Sequence, residues 1–441
     1  MRQFIVVALS LCFSVSLAAQ ENTVEYQNKK HKYISPTLGT YKSLSKFELR
    51  EFSEARKIDS LWLKEMISSG VYAQMMRRNM LEVPQHTDEI SVTDYRELPK
   101  EVLKRRLEKL NQSSPFNIGY NQKIDKLVRY YLKQNKEWVE NLLTLSRYYF
   151  PLFEEELAKH DMPLDLKYLA VIESGLNPRI KSRMGATGLW QFMYSSGKMQ
   201  GLKVSNYVDE RMDPIKSTEA AVDYLDKLYR TFDDWDMALA AYNSGPGNVS
   251  KAIRRSGGKT NYWELQNYLP RETSNYVPSF IAAMYLFNYA DKHGFDAYSP
   301  DAFYFATDTV QVKHSIKFDQ VSEATGIPKA LIEFLNPSYK LDVIPYVEGE
   351  NYSLRLPLSE VGLFVSNEEM IYDYAKTELE KQKIPTYSEQ PDRVRYRVKS
   401  GDFLGRIARQ FGVSIANLKR WNNLSGNAIR AGQFLTVYPR R

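Results

Sequence analysis

Apolar residues recur at three- and four-residue steps along most of the first 290 positions, the spacing of one face of an α-helix. The pattern predicts helices at residues 52–81 and 98–110, followed by an almost purely helical region over residues 121–289. A region of roughly 170 packed helical residues is large enough to form one domain with its own core.

The pattern changes after Pro300 to short strand-like runs separated by single helices. Residues 309–357 predict a strand, a helix and a strand. Residues 394–438 predict a cleaner version, with one helix capped by Asp402, a second capped by Ser414, and a strand at each end. An Asn follows a Leu-rich helix in both stretches, at Asn336 in the first and at Asn422 and Asn423 in the second. We therefore expect a weak internal repeat whose first copy is degenerate.

The residue composition limits the kinds of functional site that the chain can form. The 441 residues include one Cys and five His, too few for a disulfide framework or a Cys-rich zinc site. No metal and no cofactor are expected. The hydrophobic fraction of 43% and the mean hydropathy of −0.48 indicate a globular chain, not a polytopic membrane protein. Carboxylates remain the natural candidates for acid–base chemistry.

The N-terminus reads as a secretory signal. Arg2 precedes an apolar run that is too short to span a bilayer, and small residues lie near Ala19. We expect residues 1–19 to be removed together with Cys12, because Leu11 is a poor residue to precede a lipidated cysteine. The formal charge then falls from +7 to +6 through loss of Arg2. Export and the interleaving of basic with acidic residues favour an acidic envelope polymer over nucleic acid as partner.

Glu173 is the candidate catalytic residue. It ends an apolar helix predicted over residues 164–174, and Gly175 and Pro178 follow it. Desolvation in such a setting raises the pKa of a carboxyl, so that it can act as a general acid near neutral pH. The alternative is a structural Glu that is exposed or paired with Arg179 or Arg183.

Three further motifs combine amides or phenols with tight backbone features. They are Gly188-Leu189-Trp190-Gln191-Phe192, Ala241-Tyr242-Asn243-Ser244-Gly245 and Glu272-Thr273-Ser274-Asn275-Tyr276. Amides pair with the hydroxyl and N-acetyl groups of sugars, and rings stack on the pyranose face. The three motifs together favour a glycan-binding site.

The region of about residues 140–290, which contains Glu173-Ser174 and these three motifs, resembles the lysozyme-like lytic transglycosylases of bacterial cell walls. The resemblance is greatest to their membrane-bound type D branch. Asp209-Glu210-Arg211 and Asp213-Pro214 also match that branch. Trp190 and Ser244 stand where the wider family commonly has Met and Ala. The resemblance implies an α+β multidomain protein with a mostly α-helical lysozyme-like catalytic domain.

The resemblance also implies an activity. Glu173 would cleave the β-1,4 bond between N-acetylmuramic acid and N-acetylglucosamine without water and leave a 1,6-anhydromuramoyl end. Ser174, Gln191, Asn243 and Tyr276 would position Glu173 and the sugar. Tyr242 could be either a wall of the sugar subsite or a core ring. Two rival functions stay open: a muramidase that hydrolyses the bond, and a non-catalytic peptidoglycan-binding scaffold.

The C-terminal unit resembles a LysM module, a small βααβ fold that binds glycans containing N-acetylglucosamine in a groove between its strand–helix loops. The match rests on Tyr396 to Leu404, Asn417-Leu418, Trp421-Asn422 and Gly432 to Leu435. It departs at Phe403, where Thr is usual. Residues 309–357 could be a second, eroded copy that lacks the Gly-Asp opening.

These observations predict six segments: a signal peptide at 1–19, a helical extension at 20–120, the catalytic domain at 121–295, a degenerate LysM-like unit at 301–362, a charged helix and linker at 363–392, and a LysM domain at 393–441. We expect an exported protein of the periplasm or cell envelope whose partner is the glycan strand of peptidoglycan. Contact with the envelope membrane, including the outer membrane, stays open.

Overall fold

The structure is a computed structural model that describes residues 44–51, 57, 61, 90–297, 304–380, 385–388, 394–411 and 413–438. The predicted signal at 1–19 and most of the predicted helix at 52–81 lie outside the described residues. Within them, the chain folds as a long helical part, a small α/β unit beside it, and a second small α/β unit at the C-terminus.

The helical part contains ten α-helices, joined by short 3-10 turns, in its described residues. In chain order they are α1 Lys100–Gln112, α2 Gln122–Leu132, α3 Lys136–Lys159, α4 Tyr168–Ser174, α5 Tyr194–Met199, α6 Pro214–Phe232, α7 Trp235–Ser244, α8 Pro246–Arg255, α9 Tyr262–Leu265 and α10 Thr273–Asn288.

Helix α10 lies at the centre of this part and is buried on nearly every side, because it is apolar all round. It contacts α2, α4 and α7, and it also contacts α1. The apolar face of α1, with Val102, Leu103 and Leu107, belongs to the same core although α1 precedes the predicted start of the catalytic domain at residue 121. Chain segments on both sides of that predicted boundary therefore fold together.

Capping residues determine where α6 begins and where α4 ends. Asp213 accepts hydrogen bonds from the backbone N–H groups of Ile215 and Lys216, and Pro214 occupies the first turn of α6, as the sequence predicts. Helix α4 ends where Gly175 takes a left-handed φ of 59°. That ending confirms the predicted stop and leaves Glu173 in the last turn.

The first α/β unit, which we call the LysM-like unit, comprises residues 304–380. Its elements are β1 Thr307–Gln311, β2 Ile316–Lys317, α11 Phe318–Thr325, α12 Lys329–Leu335, β3 Val343–Ile344, β4 Ser353–Pro357, α13 Leu358–Ser366 and α14 Glu368–Glu380. Strand β1 pairs antiparallel with β4, and β2 pairs with β3. The sequence pattern misses α11 and α13, and it misses the two-residue strands because they are too short to show a period.

The LysM-like unit shares one hydrophobic core with the helical part. The edge of the Tyr148 ring on α3 packs against Phe334 on α12, with ring centroids 4.9 Å apart. The charged helix α14 is also packed, because Ile371, Tyr372 and Ala375 are buried against this core. The helical part and the LysM-like unit are therefore one packed body.

The C-terminal module, residues 394–438, consists of β5 Val394–Arg397, α15 Leu404–Gln410, α16 Ile415–Trp421 and β6 Phe434–Val437. Its buried residues form a second hydrophobic cluster of their own. Ser414 caps α16 as predicted. The predicted cap at Asp402 is wrong: α15 follows Phe403, and the Asp402 carboxylate accepts hydrogen bonds from the Tyr396 hydroxyl at 2.6 Å and the Lys399 N–H at 2.8 Å.

One Asn holds each small unit together in the same way. In the C-terminal module the Asn422 amide donates to the Thr436 carbonyl at 2.8 Å and accepts from the Thr436 N–H at 2.6 Å. In the LysM-like unit Asn336 makes the same pair of bonds with Arg355, both at 2.8 Å. Each pair ties the second helix to the last strand, so the two units are copies of one architecture.

Candidate active site

Glu173 lies on α4 beside the central helix α10, and its partner there is Tyr276. The Tyr276 hydroxyl donates a short hydrogen bond to Oε1 of Glu173 across 103 positions of sequence. Neither arginine of the structural alternative pairs with Glu173 among the described residues. Arg179 turns instead toward the LysM-like unit, where it donates to the Pro337 carbonyl at 3.2 Å.

The environment of Glu173 raises its pKa to about 7. Desolvation by the surrounding apolar side chains is the largest cause, because it penalises the charged form. The Tyr276 hydrogen bond lowers the pKa, and the charge of the exposed Glu272 raises it. The carboxyl is therefore poised to gain and lose a proton near neutral pH, as a general acid and base must.

Tyr242 is partly exposed, and two contacts fix its ring beside Glu173. Its hydroxyl donates to the backbone carbonyl of Trp190 at 2.8 Å, and its ring packs against Tyr224 at 5.6 Å between centroids. The negative charge of Glu173 adds to the burial that raises the pKa of Tyr242. The ring is thus both anchored in the core and close to the candidate acid.

Asn243, the last residue but one of α7, is held by a residue that sequence reasoning did not single out. The hydroxyl of Thr273 donates to the Asn243 Oδ1 at 2.7 Å. Thr273 is 1% exposed, and its backbone carbonyl accepts from the Tyr262 hydroxyl at 2.9 Å. This bond fixes the amide plane, so that Asn243 presents its Nδ2 as a donor.

Gln191 lies in a tight turn with a left-handed φ of 49°. Its side-chain Nε2 donates to the carbonyl of Gly188 at 2.9 Å, within the same motif. The indole of Trp190 is fully buried and donates to the Thr218 hydroxyl at 3.0 Å. The motif is therefore a turn anchored in the core at Trp190 and closed on itself by Gln191.

A buried ion pair holds this turn in place through hydrogen bonds to its backbone. Arg211 and Asp209 are 2.8 Å apart at Nη2 and Oδ2, and both side chains are almost fully buried. The Arg211 Nη1 donates to the carbonyls of Gly185 at 3.1 Å and Phe192 at 3.2 Å. The guanidinium thus links Gly185, which precedes the turn, to Phe192, its last residue.

The structure does not bring Ser174 to the cleft. Its side chain is 3% exposed, and its hydroxyl donates to the carbonyl of Ala170 at 2.8 Å, one turn earlier in α4. Adjacent helical positions point about 100° apart, so a residue next to Glu173 faces a different side. The Ser174 hydroxyl is thus satisfied within α4, and a direct contact with a sugar would require the side chain to turn out of the core.

Three family models match the chain. A Transglycosylase SLT domain matches residues 150–264, a lytic transglycosylase MltD LysM-like domain matches residues 306–373, and a LysM domain matches residues 396–437. Membrane-bound lytic murein transglycosylase D of Escherichia coli is 31% identical over 324 residues, which are 73% of this chain and 70% of that protein. The chain belongs to the lytic murein transglycosylases. Soluble lytic murein transglycosylase of E. coli is 29% identical over 33% of the chain and 24% of its own length.

This lytic murein transglycosylase is also similar to solved structures of a soluble relative. The 70 kDa soluble lytic transglycosylase of E. coli aligns with 22% identity and a TM-score of 0.29, over 56% of this chain and 45% of that one. An autolysin of Enterococcus faecalis is 60% identical over 42 residues, 10% of this chain and 6% of its own length. Within the part of this transglycosylase that the structure describes, no helix combines the length and apolarity that a membrane span needs.

The charge of this lytic murein transglycosylase is less evenly spread than expected. Residues 394–438 contain eight Lys and Arg residues and a single acidic residue, Asp402. The formal charge of this module is therefore +7, equal to that of the whole chain. The expectation that basic and acidic residues interleave holds for the remainder of the sequence but is wrong for the C-terminal module.

Proposed function

We propose that the chain cleaves peptidoglycan glycan strands as a lytic transglycosylase with Glu173 as its single essential acid. The observation that carries this proposal is a partly buried, desolvated carboxyl with a pKa near 7, bonded to Tyr276 within a domain of this family. Tyr276 occupies Oε1, so Oε2 is the oxygen that can carry the proton to the substrate. The remaining site residues would orient the sugar.

The reaction needs no water and no second acid. Glu173 gives its proton to the oxygen that links C1 of N-acetylmuramic acid to N-acetylglucosamine, and the C1–O bond breaks. The carboxylate then takes the proton of the C6 hydroxyl, whose oxygen bonds to C1 and closes the 1,6-anhydro ring. One carboxyl acts first as acid and then as base, so the two-carboxylate spacing of hydrolases is not required.

The products of a sacculus digest test this proposal against hydrolysis. We expect mass spectrometry to find anhydro-muropeptides, which are lighter than the hydrolytic products by one water. The nearby carboxyl of Glu272 is the specific feature that favours the alternative, since a hydrolase uses a second acid. Reducing muramic acid ends that disappear in Glu272→Gln would establish hydrolysis and overturn the proposal.

The rate should depend on pH through the protonated form of Glu173. Because the acid must start protonated, the initial rate of anhydro-muropeptide release is expected to fall about tenfold per pH unit above the pKa near 7. Glu272→Gln removes a charge that raises this pKa, so its profile should shift to lower pH. A rate that stays flat between pH 7 and 9 would contradict the assignment.

Thr273 should act as a positioning residue for Asn243. Thr273→Val keeps the side-chain shape but removes the hydroxyl that fixes the amide, so we expect kcat to fall about tenfold with little change in KM. Thr273→Ser retains the hydroxyl and should restore most of the rate. Equal losses in the two variants, with a matching loss in thermal stability, would show a packing role alone.

The C-terminal module should hold the enzyme on the wall through glycan contacts that its charge strengthens. Deletion of residues 393–441 removes this module and its separate core, so sacculus binding should weaken while cleavage of soluble glycan strands is retained. Binding of the full chain should also weaken steadily from 0.05 to 0.5 M NaCl, because salt screens exposed charges. Co-sedimentation with sacculi measures both effects, and loss of soluble-strand cleavage on deletion would assign the module a structural role.

We further propose that the chain is exported and works at the cell envelope. The apolar run before Ala19 and the basic C-terminal module support this location, since peptidoglycan carries acidic stem peptides. Detection of the mature N-terminus after cleavage near residue 19 would test export. Fractionation of the envelope would test whether the mature chain also contacts a membrane.

A further inference from the structure

The loop that follows the second helix of the LysM-like unit is covered by the catalytic part of the chain. The resemblance to LysM modules implies that the loops joining strands and helices, of which this is one, line the glycan groove. In the LysM-like unit the loop residues Ser338 and Tyr339 are each only 5% exposed. In the C-terminal module the residues at the same distance after Asn422 are Leu424, which is partly buried, and Ser425, which is exposed. Copies of one architecture therefore present the same loop to different surroundings.

Backbone hydrogen bonds fasten the covered loop to residues 203–209, which we call the support segment. The Asp209 N–H donates to the Ser338 carbonyl at 2.9 Å, and the Lys340 N–H donates to the Tyr207 carbonyl at 2.8 Å. Val208 and Tyr339 pair between these two bonds as an isolated antiparallel bridge. The contact is a short two-stranded pairing between the two parts of the chain.

Charged side chains reinforce the pairing on both sides of it. Arg179 donates to the carbonyls of Pro337 at 3.2 Å and Tyr339 at 3.4 Å. The ammonium group of Lys340 donates to the carbonyl of Ser205 in the support segment. The Arg179 bonds occupy two carbonyl oxygens of the loop, and the Lys340 bond ties the loop to the support segment.

Residues 385–388 hold the support segment from another direction. The Asn206 Nδ2 donates to the Thr386 carbonyl at 2.9 Å, and the Asn206 Oδ1 accepts from the Ser388 N–H at 2.8 Å. The ring of Tyr207 stacks on Tyr387, 3° from parallel. The support segment is thus fixed by two separate stretches of the C-terminal half of the chain.

The support segment leads directly to the turn at the active site. Its last residue, Asp209, forms the buried ion pair with Arg211, which holds the carbonyls of Gly185 and Phe192. A chain of hydrogen-bonded groups therefore runs from the loop of the LysM-like unit to the Gly188–Phe192 turn. Each link in this series is a contact between two residues that the structure describes.

We propose that the LysM-like unit has given up glycan binding at this loop and serves as a fixed support for the Gly188–Phe192 turn, acting through the support segment and the Asp209–Arg211 pair. Its partner surface is the chain's own catalytic domain. The proposed role of this turn in catalysis rests on the proposed function, whereas the mechanical coupling between the two parts does not.

Hydrogen exchange and kinetics on the full chain test the coupling together. The variant Arg179→Gln/Lys340→Gln removes the side-chain bonds and leaves the backbone pairing and all cleft residues intact. We expect the backbone amides of residues 203–213 and 185–193 to exchange about tenfold faster, because loss of the side-chain bonds lets the two segments open together. kcat should fall about threefold with KM unchanged, as a loosened turn positions the sugar less well. Binding to sacculi should not change.

Lys313→Gln/Lys376→Gln is the matched control, because it removes two positive charges from the LysM-like unit away from the support segment. It should leave exchange in both segments and kcat at wild-type values. Faster exchange confined to residues 203–213, with 185–193 and kcat unchanged, would overturn the transmitted support. Reduced sacculus binding with unchanged exchange would show instead that the loop takes glycan. If wild-type digests lack anhydro products, the proposed function fails, but the exchange comparison still decides the coupling.

Discussion

Replacement of Glu173 by Gln is expected to abolish the release of anhydro-muropeptides while making the folded chain more stable above pH 7. General acid–base catalysis contributes roughly 10²–10⁴-fold to a rate, and Gln has no proton to give, so a loss of at least 10²-fold is expected. The Gln side chain keeps the shape of Glu173 and can still accept the Tyr276 hydrogen bond. The loss should therefore fall on kcat, with substrate binding retained.

The gain in stability follows from the direction of the pKa shift. In the unfolded chain the Glu173 carboxyl titrates at its ordinary value of 4.5, and in the folded chain at about 7. Folding is therefore unpenalised below about pH 4.5, and the cost of burying the charge grows as pH rises toward 7. Above that pH the cost is about 3 kcal/mol, which Gln removes.

Thermal or urea unfolding at pH 5 and pH 8 measures this gain. Glu173→Gln should be within about 1 kcal/mol of wild type at pH 5 and exceed it by about 3 kcal/mol at pH 8. Glu101→Gln is the control, because Glu101 is exposed on α1 and the change should have little effect at either pH. An equal stability difference at both pH values would mean that the carboxyl is not desolvated in the fold.

Gly188→Ala should lower the free energy of unfolding more than any other small substitution in the Gly188–Phe192 turn. Gly188 has a φ of 90°, and a Cβ placed on it would lie 1.7 Å from the carbonyl oxygen of Arg211. The obstacle is backbone, so the segment that carries the Arg211–Asp209 pair must move. We expect a loss of at least ~3 kcal/mol of unfolding free energy, since overpacking adds to the strain of the left-handed backbone.

Gly185→Ala separates these two contributions. Gly185 has a φ of 89°, nearly the same as Gly188, but open space where its Cβ would lie. This variant should therefore lose only ~1 kcal/mol, the cost of the backbone conformation alone. Differential scanning calorimetry of the two variants measures the difference. Equal losses would place the damage in the backbone conformation and contradict the steric argument.

Local pattern was enough to predict the helix that carries Glu173, whereas choosing Glu173 as the candidate acid also required the companion motifs and the family resemblance. The apolar run before Glu173 and the Gly175 stop are short-range signals, and the structure confirms the end of the helix at Ser174. The motif that contains Tyr276 also led to a residue that contacts Glu173. Which of these residues contact a glycan stays a prediction.

Contacts between distant segments were beyond the reach of the sequence. Thr273 holds Asn243 across 30 positions because α7 packs on α10, and no periodicity specifies which side chains meet there. The resemblance implied that Ser174 would position Glu173 and the sugar, but helix geometry turns its side chain into the core. The loop at Ser338 had no signal at all, because its partner surface exists only after folding.

The bonds that hold residues 385–388 to the support segment also limit the distance between the C-terminal module and the active site. The chain leaves the catalytic body at Ser388 and enters the first strand of the C-terminal module at Val394. Six residue steps can span at most about 20 Å. A module bound to one sugar therefore restricts the enzyme to bonds close to that point. Successive cuts should cluster along a strand, and lengthening this connection should spread them.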